Sequence, residues 1–190
     1  MFIQTQSTPN PATLKFIPGK QVSPAGTHEY RDRDSASASP LAQGIFALNG
    51  VDGVFLGDEF VAVTKAESSD WSYLKPQVLA AIMDHYMSGQ PVLSAAADPQ
   101  ETTPEQVYTG ETAEIVDEIK QLIDARVRPA VAQDGGDIEF HRFDASTGVV
   151  ELVMRGACSG CPSSTMTLKQ GVENLLKHYV PEVTAVEAVM

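Results

Sequence analysis

The sequence predicts an α+β protein made of two small α/β domains, and three features carry that prediction. Apolar residues recur at helical spacing in some segments and alternate along others, so each half contains both element types. The stretch "PVLSAAADPQETTPEQVYTG" at 91–110 has three acidic residues, no basic ones and no sustained periodicity. It reads as a flexible linker between domains at 1–90 and 111–190. A chain of 190 residues is long enough for two modest cores.

In the first domain, "FIQTQ" (2–6) and "TLKFIP" (13–18) are extended segments around the turn-forming "STPNPA". The Ser-, Asp- and Arg-rich "YRDRDSASASP" reads as a loop. "SPLAQGIFALNG" is a short helix, with Ser39 as N-cap, Pro40 at its first position and Asn49-Gly50 closing it. "VDGVFLGDEFVAVTKA" is a hairpin whose alternating runs meet at Gly57-Asp58-Glu59. "DWSYLKPQVLAAIMDHYMSG" is a helix, with Pro76 expected in the first turn of its main body and Gly89 as its stop. Val78, Leu79, Ile82, Met83 and Tyr86 form its expected inward face.

The second domain opens with the helix "ETAEIVDEIKQLIDARVRP", which carries a stripe of Ile115, Ile119, Leu122 and Ile123 and is expected to end at Pro129. "DIEFHRFD" and "GVVELVMRG" are alternating strands joined by an Ala-Ser-Thr-Gly turn. After them comes "GACSGCPSS", which holds both cysteines of the chain, Cys158 and Cys161. A helix, "SSTMTLKQGVENLLKHYV", places Leu168, Val172, Leu175, Leu176 and Tyr179 on one face and stops at Pro181; "EVTAVEAVM" closes as a strand. The expected order is α-β-β-α-β, with the Cys-x-x-Cys loop between a strand and a helix N-terminus.

The net charge of −12 excludes a general nucleic-acid binder, which needs clustered Lys and Arg. Residues 1–110 carry 12 acidic and 6 basic side chains and residues 111–190 carry 13 and 7, so neither part offers a basic face to a polyanion or a membrane. No run of roughly 18 apolar residues is present to span a bilayer. The first residues lack the basic and apolar regions of a secretory signal and the Arg-rich character of a transit peptide. Two cysteines make no disulfide framework, so the expected compartment is reducing, a bacterial-type cytoplasm or, after presequence removal, the mitochondrial matrix.

A helix N-terminus stabilises anions, so both thiols are expected to ionise readily, with Gly156 and Gly160 letting the backbone approach a bulky ligand. Three chemistries use such a loop. Thiol–disulfide exchange uses a Cys-x-x-Cys pair, although Ser159-Gly160 replaces the tryptophan and proline of a thioredoxin-like site. Zinc needs four ligands, and His141 and His178 have no finger-like spacing. An iron–sulfur cluster is commonly held by four thiolates. One chain supplies two, so two chains related by two-fold symmetry would share one cluster through Cys158 and Cys161 of each. A zinc-bridged dimer satisfies the same count.

"QDGGDIEF", "VELVMRGACSGCPSSTMTLKQGVENLLKHYVPEV", "FIQTQSTPNPATLKFIPGK" and "SPLAQGIFALNGVDGVFLGDEFVAVTK" together resemble the NFU family of iron–sulfur cluster scaffolds and carriers. The resemblance joins a NifU-like C-terminal domain to the family's N-terminal domain and covers all but the 91–110 stretch. It implies a 4Fe–4S cluster bridging a homodimer, with Cys158 and Cys161 as metal ligands. It also implies upstream iron–sulfur assembly proteins as donors and delivery to apo-clients such as lipoyl synthase, aconitase-like hydratases and respiratory subunits. The family's "DGGD" element falls on Asp134, Gly135, Gly136 and Asp137. A plainer reading makes that element a tight turn before a strand, its aspartates capping or solvated, and makes the scattered histidines surface or helix-face residues. Phe46, Phe55, Phe60, Trp71 and Tyr86 read as core. No nucleophile–base–acid set or phosphate-binding loop is present, so no catalytic residue and no enzyme activity are expected.

Overall fold

Residues 2–24, 26–94, 107–159 and 162–189 are described by a computed structural model, which divides into two units, Met1–Glu101 and Thr102–Met190. Each combines a sheet with helices, so the α+β class holds.

In the first unit β1 (Gln4–Ser7), β2 (Thr13–Ile17), β3 (His28–Tyr30), β4 (Val51–Leu56) and β5 (Val61–Lys65) form an antiparallel sheet in the order β1-β2-β5-β4-β3. Alternation puts Phe16, Val61 and Leu56 in one cross-strand row and Val63, Val54 and Tyr30 in the next. These rows bury against Leu41 and Ile45 of α1 (Pro40–Phe46) and Leu74, Val78 and Ile82 of α2 (Trp71–Ser88). The Ser39 hydroxyl accepts the Ala42 N–H at 3.1 Å, the expected N-cap. The helix ends at Phe46, ahead of Asn49-Gly50. The segment expected to be a loop contains the 3₁₀ turn Ser35–Ala38 and follows directly from β3, whose three residues are too few to show a period.

Pro76 does not start the body of α2. Asp70 caps the helix by accepting the Ser72 N–H at 2.7 Å, so Pro76 falls at the sixth position of a continuous helix. It is exposed there, as is Ser72, whose carbonyl loses a helical partner and can turn to water. Met83 is 37% exposed, and His85 takes the inward place expected for it.

His85 is buried, and its Nε2 has no hydrogen-bond partner among the described residues. Burial pushes its pKa down. The folded state therefore binds fewer protons than the unfolded chain, and stability is lost as pH falls below the ordinary histidine value of about 6.5. Melting measured between about pH 7.5 and 5.5 should drop more steeply in the wild type than in His85→Leu. Parallel profiles would show that His85 takes up its proton as readily in the folded chain as in the unfolded one, so that burial does not lower its pKa.

The second unit contains α3 (Glu111–Leu122), a wide π-helical turn at Ile123–Val127, α4 (Arg128–Gln133), β6 (Gly136–Asp144), β7 (Val149–Gly156), α5 (Pro162–Tyr179) and β8 (Ala185–Val189). β6 pairs antiparallel with β7, and β8 pairs parallel to β7. The helix does not end at Pro129, which lies at the start of α4. The turn before it widens, and a wide turn accommodates a residue that has no N–H to give. The buried stripe is Val116, Ile119, Ile123, Val127 and Val131. After its first step the spacing is four throughout, which in a regular helix drifts about 40° per step. The wide turn offsets that drift. Ile115 and Leu122 lie at the flanks, partly buried.

β6 also departs from simple alternation. Its register slips between Phe140 and Arg142, leaving His141 as a bulge residue, and this brings Phe143 rather than Arg142 to the inward face. The Tyr108 hydroxyl accepts the Phe143 N–H at 2.8 Å and its ring packs edge-on to Phe140. Tyr108 belongs to the 91–110 stretch, as do Val92 and Leu93, which pack on the first unit's core; residues 95–106 of that stretch lie outside the described residues. Among the described residues, no helix is long and apolar enough to cross a membrane.

Candidate metal-binding loop

Two glycine turns meet where β7 ends. At the first, Gly156 has φ +66° and accepts the Ser159 N–H at 3.1 Å, turning the chain back. At the second, Asp134-Gly135-Gly136-Asp137 closes α4 and launches β6, with Gly135 at φ +81°. Non-glycine residues rarely take such dihedrals, which explains the spacing of these glycines around the loop. The Ala157 N–H donates to the Gly135 carbonyl at 3.2 Å and joins the turns. The tight-turn reading of "DGGD" therefore describes its backbone.

Cys158 lies inside this junction and is only 7% exposed. It belongs to the same buried cluster as Ile138, Met154 and Val172. Gly136 makes room for it: a Cβ there would stand 2.8 Å from the Cys158 Sγ and 2.6 Å from the Arg155 carbonyl oxygen. The expectation of a readily ionised thiol is corrected for this residue. Burial pushes the Cys158 thiol up to about 12, and the nearby carboxylates of Asp134 and Asp137 add to the rise. The helix dipole acts within the first turn, and Cys158 stands four residues before Pro162, where α5 begins. Cys161 and Gly160 lie outside the described residues, so Cys158 is the expected ligand that the structure places.

Asp137 is not a solvated cap. Its side chain is 5% exposed and receives Arg128 in two bonds, Nε to Oδ1 at 2.9 Å and Nη2 to Oδ2 at 2.8 Å. The Ile138 N–H adds a third at 2.8 Å. Hydrogen bonding to Asp137 raises the Arg128 pKa further, so the guanidinium is always charged. Asp124 touches the same guanidinium at 3.3 Å from the solvent side.

Thr165, in the first turns of α5, donates its Oγ1 to the Cys158 carbonyl at 2.6 Å. The Ser159 hydroxyl donates to the Gly156 carbonyl at 2.9 Å. Neither Arg128 nor Thr165 stood out in the sequence. Arg128 sits nine residues from its partner in a segment expected to end, and a helix threonine carries no signal of its target.

The histidines do not converge on Cys158. His28 stacks on Tyr30, His85 is buried on α2, His141 approaches Glu151 at 3.8 Å and His178 packs at right angles to the Tyr179 ring. Among the described residues no group of three or more His, Cys, Asp or Glu side chains could hold a metal ion.

Two mixed α+β units, one closing a cysteine loop against a double-glycine turn, define the class to which the comparisons also lead. The family profile "Scaffold protein Nfu/NifU N terminal" matches residues 3–89, and "NifU-like domain" matches residues 119–187. NifU-like protein 5, mitochondrial, of Arabidopsis thaliana is 52% identical over 98% of this chain and 67% of its own length. The NFU1 iron-sulfur cluster scaffold homolog, mitochondrial, of Drosophila sechellia is 48% identical over 100% of this chain and 65% of its own. The chain thus spans about two thirds of these relatives. A solved NifU-like protein of Saccharomyces cerevisiae aligns with 50% of this chain and 86% of its own at a TM-score of 0.46 and 27% identity. The chain belongs to the NifU-like family of iron–sulfur cluster scaffold proteins.

Proposed function

We propose that this protein holds a 4Fe–4S cluster between two copies of the chain and passes it to apo-proteins, acting as a carrier and not as a catalyst. Family membership across both units is the observation that carries this reading. Cys158 and Cys161 are the ligands we assign, two from each chain, because a cubane takes four thiolates and each chain has two cysteines. The cluster is cargo. Transfer is ligand exchange without redox change: a client thiol gives up its proton as it bonds to an iron, one of these sulfurs leaves as a thiolate, and the departing thiolate takes up that proton. Upstream assembly proteins load the cluster, and the unit formed by the first ninety residues, tethered through 91–110, serves partner contact or assembly.

The relatives' names weigh toward a mitochondrial location over the bacterial-type cytoplasm. The matching profiles and relatives, named as scaffold and NifU-like proteins, weigh against dithiol–disulfide exchange.

Iron, sulfide and zinc per chain, measured on anaerobically purified protein together with its mass in solution, test the proposal. About two irons and two sulfides per chain in a dimer are expected, and Cys158→Ser should lose the cluster while melting as a folded protein. About half a zinc per chain, with no reconstitution by iron and sulfide, would establish a zinc-bridged dimer instead. A Cys158→Ser protein that still fills completely would remove Cys158 from the ligand set.

A further inference from the structure

Helix α2 carries a second apolar stripe that its own unit does not bury. Tyr73, Pro76, Ala80, Met83 and Met87 are all exposed, Tyr73 and Met87 by 77% each. Their steps of three, four, three and four residues place them within about 80° of one another, on the side opposite buried Leu74, Val78 and Ile82. Single exposed apolar side chains are ordinary on a protein surface. This stripe is different, because it runs for about four turns at an average step of 3.5 residues without a charge, the pattern of a helix-packing seam.

Its composition limits what can cover it. A membrane surface would call for several lysines or arginines around the stripe, and α2 offers one lysine, Lys75, and no arginine. The order of residues is instead self-complementary. Ala80, the smallest, stands at the middle, and Tyr73 and Met87 lie seven residues to either side. Two copies of α2 laid antiparallel approach closely at Ala80, and a two-fold axis there sets Tyr73 of each copy against Met87 of the other. A methionine sulfur against an aromatic ring is a favourable pair. The same arrangement brings Gln77 of each copy near Asp84 of the other and keeps the two Asp84 carboxylates about 12 Å apart along the axis.

We propose that this stripe is a contact between two copies of the chain, whose first units pair through α2, antiparallel about Ala80. One helix per copy covers less than the roughly 800 Å² that each partner gives to a standard interface. The pairing is therefore weak between free chains and strong only between chains already held together. Its use, joining the first units of two chains that share a cluster, rests on the reading given above, but its existence does not.

The test uses full-length chains free of cluster. Cys158→Ser and Cys161→Ser leave an introduced thiol as the only one, and chains bearing Tyr73→Cys are mixed with chains bearing Met87→Cys and oxidised. The mixed disulfide should form about tenfold faster than either chain links to its own kind, because like positions stand about 20 Å apart in the antiparallel pair. Equal rates, or Met87→Cys chains that link best to one another, would overturn the pairing. A second measurement keeps both native cysteines. Reduced, cluster-free wild type is sedimented at concentrations up to about 1 mM, the range in which so small a contact binds. Its average mass should rise with concentration, and that of Met87→Asp should stay at one chain. A wild type that stays at one chain, or a Met87→Asp variant that rises as the wild type does, would overturn the pairing and leave the stripe to a different protein. Because no cluster is present in either measurement, the contact can fail while the iron and sulfide measurement succeeds, and the reverse.

Discussion

Gly136→Ala should strongly destabilise the second unit and expose its buried thiol. The added methyl would meet the Arg155 carbonyl oxygen at 2.6 Å and the Cys158 Sγ at 2.8 Å. The first of these is backbone inside the β6–β7 ladder, where Gly136 pairs with Gly156, so it cannot step aside cheaply. Overpacking of this kind costs about 3 kcal/mol, which for a unit of this size lowers melting by on the order of 10–20 °C. The chain's one tryptophan, Trp71, is in the first unit. Its fluorescence should therefore melt at the wild-type temperature, while the circular dichroism assigned to the second unit melts early. A variant whose two signals both match wild type would show that the thiol and β7 have room to move.

Arg128→Met should cost about 2–4 kcal/mol in urea denaturation of the same unit, because it strands the Asp137 carboxylate in a buried site. The lower part of that range is expected, since the arginine side chain is 38% exposed and water can replace part of what it gives. Asp137→Asn in the Arg128→Met background removes the stranded charge and should recover a measurable share of the loss. If the double variant were no better than the single one, the cost would lie in the packing of the Arg128 stem and not in charge.

Much of this architecture was legible because short-range chemistry governs it. Ser39 caps α1 through its own hydroxyl, and Gly89 ends α2 at φ +71°. The hairpin at β4–β5 follows from two alternating runs around a polar turn. The features that escaped are set by tertiary partners. Pro129 reads as a stop on local propensity alone, whereas the stripe ending at Val131 needs the helix to continue. His141 looked like one more residue of an alternating strand, but the core needed Phe143 inward. The thiol was expected to be acidic from its place near a helix start, while its ionisation is governed by what surrounds it, an apolar core and two carboxylates.

The wide turn at Ile123–Val127 also bears on how this family can vary in length. A π-helical turn amounts to one extra residue inserted into an α-helix. Deleting one there, at exposed Ala125 for instance, would close the turn to ordinary width and leave steps of four, three and four from Ile119 to Val131, a net drift of about 20° in a regular helix. The buried stripe would keep its face, whereas the same deletion at Asp117 would turn Val116 by about 100°. Changes in length should therefore be tolerated at the wide turn, and in the exposed tip at Ala145, Ser146 and Thr147, but not elsewhere in the helix.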